Sequence, residues 1–497
     1  MGDRWWERRW VAVVLALACA LPLLWPALPP LVDLPGHMAR WHIAMDLHRS
    51  ADLQRYYDYH WAVIPNLGMD VLVPTLAMLF GLEFATKLTV IAIPVLTASG
   101  LLAMAREAHG RVPPTALFAL PLVYAWPFQF GFVNFALSQG LAFCAFALWL
   151  RLGRDGRFRL RSMLFVPIAF ALWVAHSFGW GMFGLMAAGA EVARLRSDGR
   201  NAGQTLVAAG VQGLPLALPI VVMAGGAGGA ALGADDWFDW SAKLLWVAGM
   251  LRDRWQVFDL LSLLPLVAVL CLGLRSPRLG WSPLLGWAAL LCLAAFVLLP
   301  RLLMGGAYVD MRMIPAAAML AIVAVGPPVR NRRFASLLSV LGLAFLVVRL
   351  AGTTVSFAER SAAQESELAA IAAMPRGAAV LTLVARPCGD IWGGERYDAL
   401  PGMAVVRRDA FVNTNWALAG QQLLQVRYAA AGAYRVDPSQ QMSGCSGGGP
   451  DFTSAIARFP RQAFSYVWTI GFAPGTAKAG DLQMVWSNER SALYRVR

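Results

Sequence analysis

Charge is what this 497-residue sequence has least of. Asp, Glu, Lys and Arg make up 14% of it, against 58% hydrophobic residues and a mean hydropathy of +0.55. A soluble chain of this length carries about a quarter charged residues, so a polytopic membrane protein is indicated instead. Lysine is nearly missing (Lys87, Lys243 and Lys478), and the preference for arginine reflects general composition rather than a site. The net charge of +13 does not point to nucleic acid, because the arginines stand in short runs between apolar segments, as the positive-inside rule produces. Cysteine is sparse, with six residues. Cys19, Cys144, Cys271 and Cys292 fall in apolar runs as buried hydrophobes, which leaves Cys388 and Cys445 as the pair for a disulfide if their region is outside the cytoplasm. The C-terminal region has no G-x-G-x-x-G and no P-loop, and no internal repeat is evident.

What is present is a series of apolar runs separated by arginines. Residues 11–30 have no charge and are long enough to cross a bilayer. Arg4, Arg8 and Arg9 precede them and keep the N-terminus cytoplasmic, and the run continues past the small residues at 18–20, which argues against a cleaved signal peptide. The stretch 31–85 is expected outside, with Leu67–Phe80 too short to span and therefore interfacial or re-entrant. Spans at 86–105, 114–130, 133–151, 163–176, 178–193, 204–223, 258–274, 282–299, 313–327 and 334–352 then make about eleven in all, with every inner loop basic. Between two of them, Asp235–Arg254 mixes tryptophans with charges and reads as a second surface helix.

The tail changes character. Residues 1–354 form a transmembrane domain with the first outer loop at 31–85, and 355–497 an extracytoplasmic α+β domain. In the latter, a helix at Arg360–Met374 precedes strands at Ala378–Val384, Met403–Val406, Ser465–Ile470 and Leu482–Trp486. Ser443–Pro450 is Gly-rich but reads as a loop, since neither a strand nor a helix frames it.

The first charge after the first span is Asp33, in Leu31-Val-Asp33-Leu-Pro35-Gly-His37-Met-Ala-Arg40-Trp41. Pro35 suits a helix start, and a carboxylate just ahead of that start is kept ionised by the helix dipole. A helix over 36–49 puts His37, Arg40, Trp41, Ala44 and His48 on one face. Four histidines (His37, His42, His48 and His60) occupy this loop without a zinc spacing.

This layout resembles the GT-C superfamily of integral-membrane glycosyltransferases, which take sugars from polyprenyl-phosphate carriers and include protein O-mannosyltransferases and the aminoarabinose transferase of lipid A. The resemblance rests on one span followed by a large outer loop that opens with an aspartate and holds two surface helices, the second apolar and proline-bearing. It implies that Asp33 is catalytic and that basic residues of the outer loops hold the lipid phosphate. Many members show paired acids where this chain has Asp33-Leu-Pro35, which argues against a metal and leaves a divalent cation as the one open cofactor. Asp70, in Ile64-Pro65-Asn66-Leu67-Gly68-Met69-Asp70, stands where many members begin their second surface helix with an acid.

The expected reaction is therefore transfer of a sugar from a polyprenyl-phosphate-linked donor to a glycan, lipid or protein acceptor outside the bacterial inner membrane, with inversion. Asp33 is the general base. Candidate substrate-binding residues are His37, Arg40, Asp70, His176, Arg252, Arg254, Arg301, Asp310 and Arg312, arginine's fork being suited to phosphate. Arg312 has an alternative role as an ion-pair partner of Asp310, and His176 as a hydrogen-bonded helix-end residue. Gln129, Asn134 and Gln139 fit a carrier groove or interhelical hydrogen bonds equally well. The rival readings are a transporter or flippase of lipid-linked precursors, against which stand the lack of repeat symmetry and of broken midplane helices, and a catalytically inactive GT-C-like scaffold.

Overall fold

A computed structural model describes residues 4–224, 233–303, 306–326, 332–386, 392–417, 422–443 and 450–497. Cys388 and Cys445, the candidate disulfide pair, lie outside the described residues.

The first apolar run folds as α1 (Arg9–Ala18), which turns Val11, Leu15 and Ala16 inward, and continues as the short turn Leu21–Leu24 with Pro22. After an irregular stretch, α2 (Leu34–Asp46) starts with Asp33 as its N-cap residue, Leu34 first and Pro35 second. The proline's missing N–H falls among donors that any helix start leaves unpaired. A second helix, α3 (Gly68–Phe80), has 13 residues with Pro74 inside and is too short to span. Long helices follow: α4 (Leu82–His109), α5 (Val133–Arg154), α6 (Phe158–Ala175) and α7 (Ser177–Ser197). The tryptophan-rich stretch gives α8 (Trp240–Ala248), capped by Asp239 through the Ala242 N–H. Then come α9 (Pro283–Leu298), α10 (Met313–Ala324) and α11 (Arg332–Leu368).

Among the described residues, five helices are long and apolar enough to cross a membrane, and six if the pair Ala202–Leu216 and Leu218–Ala224, bent by 67°, is one span. That is fewer than the eleven expected, and proline explains much of the difference. The expected span 114–130 holds Pro114, Pro121 and Pro127, and it forms the 3-10 helix Pro114–Tyr124 followed by Trp126–Phe130. At 16 and 12 residues, α9 and α10 are short of a crossing.

No break marks the expected boundary at 354. The last apolar run and the expected helix Arg360–Met374 are one 37-residue helix, α11, ending in the 3-10 turn Ala369–Ala373. Beyond it lies a six-stranded sheet of β1 (Ala379–Arg386), β2 (Phe411–Val412), β3 (Gln441–Ser443), β4 (Tyr466–Ile470), β5 (Leu482–Ser487) and β6 (Ala492–Val496). Its order is β5-β6-β4-β1-β2, with β3 also on β1, and β1 is parallel to β2, β3 and β4. Buried on both faces, β1 is the near-continuous apolar run that a parallel strand requires. The segment Met403–Val406, expected as a strand, lies instead in helix α12 (Gly402–Arg408). A short apolar run cannot separate a buried helix from a strand by periodicity.

The sheet domain sits on the stretch 31–85. Tyr57–Tyr59 pairs antiparallel with Leu424–Val426, and the Tyr56 hydroxyl donates to Gly377 O at 2.6 Å. Where α12 crosses α2 the backbones nearly touch, since a Cβ on Gly402 would lie 2.6 Å from Pro35 O.

Candidate active site

A cavity of about 1420 Å³ opens where the N-terminal ends of α2 and α5 and the link before α10 meet the sheet domain. Its walls include Asp33, His37, Phe132, His176, Trp246, Arg252, Arg301 and Arg312 from the membrane side, and Arg386, Arg396, Asp398, Trp416 and Asp437 from the sheet domain.

The backbone around Asp33 is held like a strand edge, with Val32 N donating to Gln129 O (3.3 Å) and Asp33 N to Phe130 O (2.9 Å). This close approach requires Gly131. Its φ is +101°, and a Cβ there would stand 2.7 Å from Asp33 N. The Asp33 carboxylate has no hydrogen-bond partner among the described residues and does not cap its own helix. The sequence leads one to expect that the helix dipole keeps it ionised, but other effects outweigh the dipole. Burial, then Asp398 and Asp437, push it well above the carboxylate range, and Arg312 opposes them. Burial likewise raises Asp398 and Asp437.

Arg312 faces this group of acids. Its Nη1 lies 3.2 Å from His176 Nε2 and its Nη2 donates to Ala307 O at 3.2 Å, while buried Nε finds no partner. The guanidinium also stands 4.3 Å from the Phe132 ring. Burial lowers its pKa to about 10, which leaves it cationic at neutral pH. The alternative Arg312–Asp310 pair is not formed: Arg312 bonds to His176 and Ala307 instead. Buried Asp310 binds Lys243 Nζ at 3.1 Å, and Lys243 also donates to the carbonyls of Phe296 and Leu299.

The other candidates divide in the same way. His37 lines the cavity between Trp41 and Trp416, its Nδ1 unpartnered and its pKa held down by burial and by Arg40. Arg301 also lines it, 3.6 Å from Asp239, as does Arg252, which lies over Trp126 and donates to Trp392 O at 3.0 Å. Arg40 and Asp70 do not face the cavity. They form a buried bidentate pair at 2.9 Å, completed by Gln422 on the arginine and Asn134 on the aspartate. Arg254 pairs with Glu359 at 3.0 Å, away from the cavity. Of the polar groove candidates, Asn134 lines the cavity, while Gln129 braces Arg396. Among the described residues, no group of three or more His, Cys, Asp or Glu is placed to hold a metal ion.

Sequence reasoning missed the sheet domain's contribution. Arg396, completely buried, donates to Pro30 O (2.7 Å) and Gln129 Oε1 (2.6 Å) and pairs with Asp253 (3.2 Å). Asp253 is also bound by Ser356. Asp259 receives Arg349 (2.7 Å) and Trp392 Nε1 (2.9 Å). One signal was available: the run Glu395-Arg396-Tyr397-Asp398 places three charges within four residues.

These features define a class, a mostly helical fold with apolar helices of membrane-spanning length and a cavity, lined by apolar and charged side chains, that is roofed by a sheet domain. Two solved structures are similar to it along nearly the whole chain. They are ArnT from Cupriavidus metallidurans bound to undecaprenyl phosphate (14% identity, 97% of this chain and 96% of that chain, TM-score 0.49) and ArnT from the same organism in the apo state (15%, 97% of both chains, 0.49). No protein-family model and no curated protein sequence matches the chain.

Proposed function

We propose that this protein moves a sugar from a polyprenyl-phosphate carrier to an acceptor hydroxyl on the outer side of the membrane, with Asp33 as general base. The observation that carries this reading is the pairing inside one cavity of an unpartnered carboxylate, Asp33, with an arginine that keeps a spare buried N–H, Arg312. In the reaction, the acceptor oxygen bonds to the anomeric carbon as the bond from that carbon to the phosphate oxygen breaks. The proton goes to Asp33, and polyprenyl phosphate leaves carrying the electron pair. Direct displacement inverts the anomeric carbon. General-base help of this kind is worth about 10²–10⁴-fold.

Phosphate develops charge as it departs, and a fixed cation facing it stabilises that charge where water is excluded. Arg312 has this role, with Arg301 and Arg252 along the same wall and His176 setting the Arg312 plane. Neutral His37 orients the acceptor beside Asp33. Arg40, Asp70, Arg254 and Asp310 act on substrate only through the positions of other groups. The apolar lining from Phe132, Phe178, Met223 and Leu245 suits the first prenyl units of the carrier.

The test is turnover of a radiolabelled polyprenyl-phosphate sugar by membranes carrying the wild type or Asp33→Asn. Release of polyprenyl phosphate that requires Asp33 supports the reading. Unchanged turnover in the variant, or passage of the intact lipid-linked sugar across vesicles, refutes it.

A further inference from the structure

A second basic site lies at the other end of α5. Val133 and Asn134, at its start, line the cavity, whereas Arg151 and Arg154, at its end, line a separate recess of about 220 Å³. The 22 residues between these ends span about 30 Å, the thickness of a bilayer's hydrocarbon core. The recess is completed by Arg9 at the first position of α1 and by Arg106, Glu107 and Gly110 at the end of α4.

Its charges are only partly matched. Arg154 binds Glu107 and donates to Asp155 at 3.3 Å, and Arg151 stands 4.0 Å from the same aspartate. Nearby Glu7 pairs with Arg111 at 3.9 Å. The side chains of Arg9 and Arg106 have no hydrogen-bond or ion-pair partner among the described residues. Complementing the carbonyl ends of α4 and α5 accounts for Arg106, Arg151 and Arg154. It does not account for Arg9, which sits at the positive end of α1, where the helix dipole repels a cation. An anion between Arg9 and Arg106 removes that conflict.

The surface beside the recess identifies the anion's source. From Arg9 onward α1 exposes Trp10 (61%), Val13, Val14 and Leu17, an apolar stripe at helical spacing that leads from the basic recess toward the other face of the membrane. A free phosphate uses only the recess, whereas a phospholipid uses both. We propose that this recess binds the headgroup of an anionic phospholipid, its phosphate between Arg9 and Arg106 and its acyl chains along the α1 stripe. Basic pockets between membrane helices are suited to such headgroups.

The test is native mass spectrometry of the full chain released from nanodiscs of mixed phosphatidylglycerol and phosphatidylcholine. Wild type should retain phosphatidylglycerol preferentially. Arg9→Gln with Arg106→Gln should lower that retention about tenfold or more, the loss expected for a charge-assisted hydrogen bond, while Arg9→Lys with Arg106→Lys keeps the preference. Neither arginine bonds to the protein, so melting in detergent should be the same for all three. Equal retention of the two lipids by wild type, or an undiminished preference in the glutamine variant, overturns the proposal. Displacement of the lipid by equimolar glycerol phosphate also overturns it, by assigning the recess to a soluble anion.

Discussion

Two groups of buried charge meet at the cavity, one lying behind its wall and reaching it through Arg396, the other lining it, and the fold satisfies them unequally. Around Asp253 and Asp259, the arginines Arg349, Arg360 and Arg396 join acids, carbonyls and Trp392 in a network that ties α11, the sheet domain and Pro30 at the end of the first apolar run together. Across the cavity, Asp33 has no partner, His37 and Arg312 each keep a ring or guanidinium nitrogen without one, and Asp398 and Asp437 both raise Asp33. Burying an unpaired polar group costs stability. In the first network both carboxylates are paired and the unpartnered atoms are single Nε groups of Arg349 and Arg396, whereas Asp33 has no partner at all, which is where the proposed substrate would relieve the cost.

Exchanging the two kinds of residue tests this contrast most sharply. Asp33→Asn should reduce sugar transfer by about 10²–10⁴-fold without destabilising the protein, as measured by turnover and melting. The sign follows from the direction of the shift. A raised native pKa means that ionising Asp33 opposes folding as pH climbs from the unfolded value toward the native one, and asparagine removes that opposition. Arg396→Met should act the other way round, costing about 1.5–3 kcal/mol of stability for each charged hydrogen bond lost to Asp253, Pro30 O and Gln129, seen as a fall in melting temperature.

Arg312→Gln should fall between them, with transfer down about 10- to 150-fold and melting little changed, since it bonds only to His176 and the Ala307 carbonyl, both neutral. Asp398→Asn removes a charge that raises Asp33, so the acidic limb of the pH–rate profile should move to lower pH. An unmoved limb would separate Asp398 from the base. Smallest is Arg254→Gln, a half-exposed pair with Glu359, which should change stability by less than about 1 kcal/mol and leave turnover intact.

How much of this was legible in the sequence follows from which contacts are local. Asp33 stands out because it ends a charge-free run, and its place at a helix start is set by its immediate neighbours. Its protonation was misjudged because Asp398 and Asp437 arrive from the far end of the chain, and only tertiary folding brings them near. Arg40 and Asp70 both carry site-like chemistry in sequence, yet they satisfy each other 30 positions apart. Charge pattern alone does not tell an arginine that waits for phosphate from one already answered by a carboxylate.

The continuity of α11 has a mechanical consequence. At 1.5 Å per residue this helix is a mast about 55 Å long, with Arg349 anchored to Asp259 and Arg360 to Gly394 and Asp253. One residue inserted between the two anchors would rotate everything above it by about 100° and wrench the cavity's roof off its walls. Seven would restore the heading yet hoist the roof by about 10 Å. Geometry at Asp33 is thus geared to the winding of a helix whose sequence never touches it.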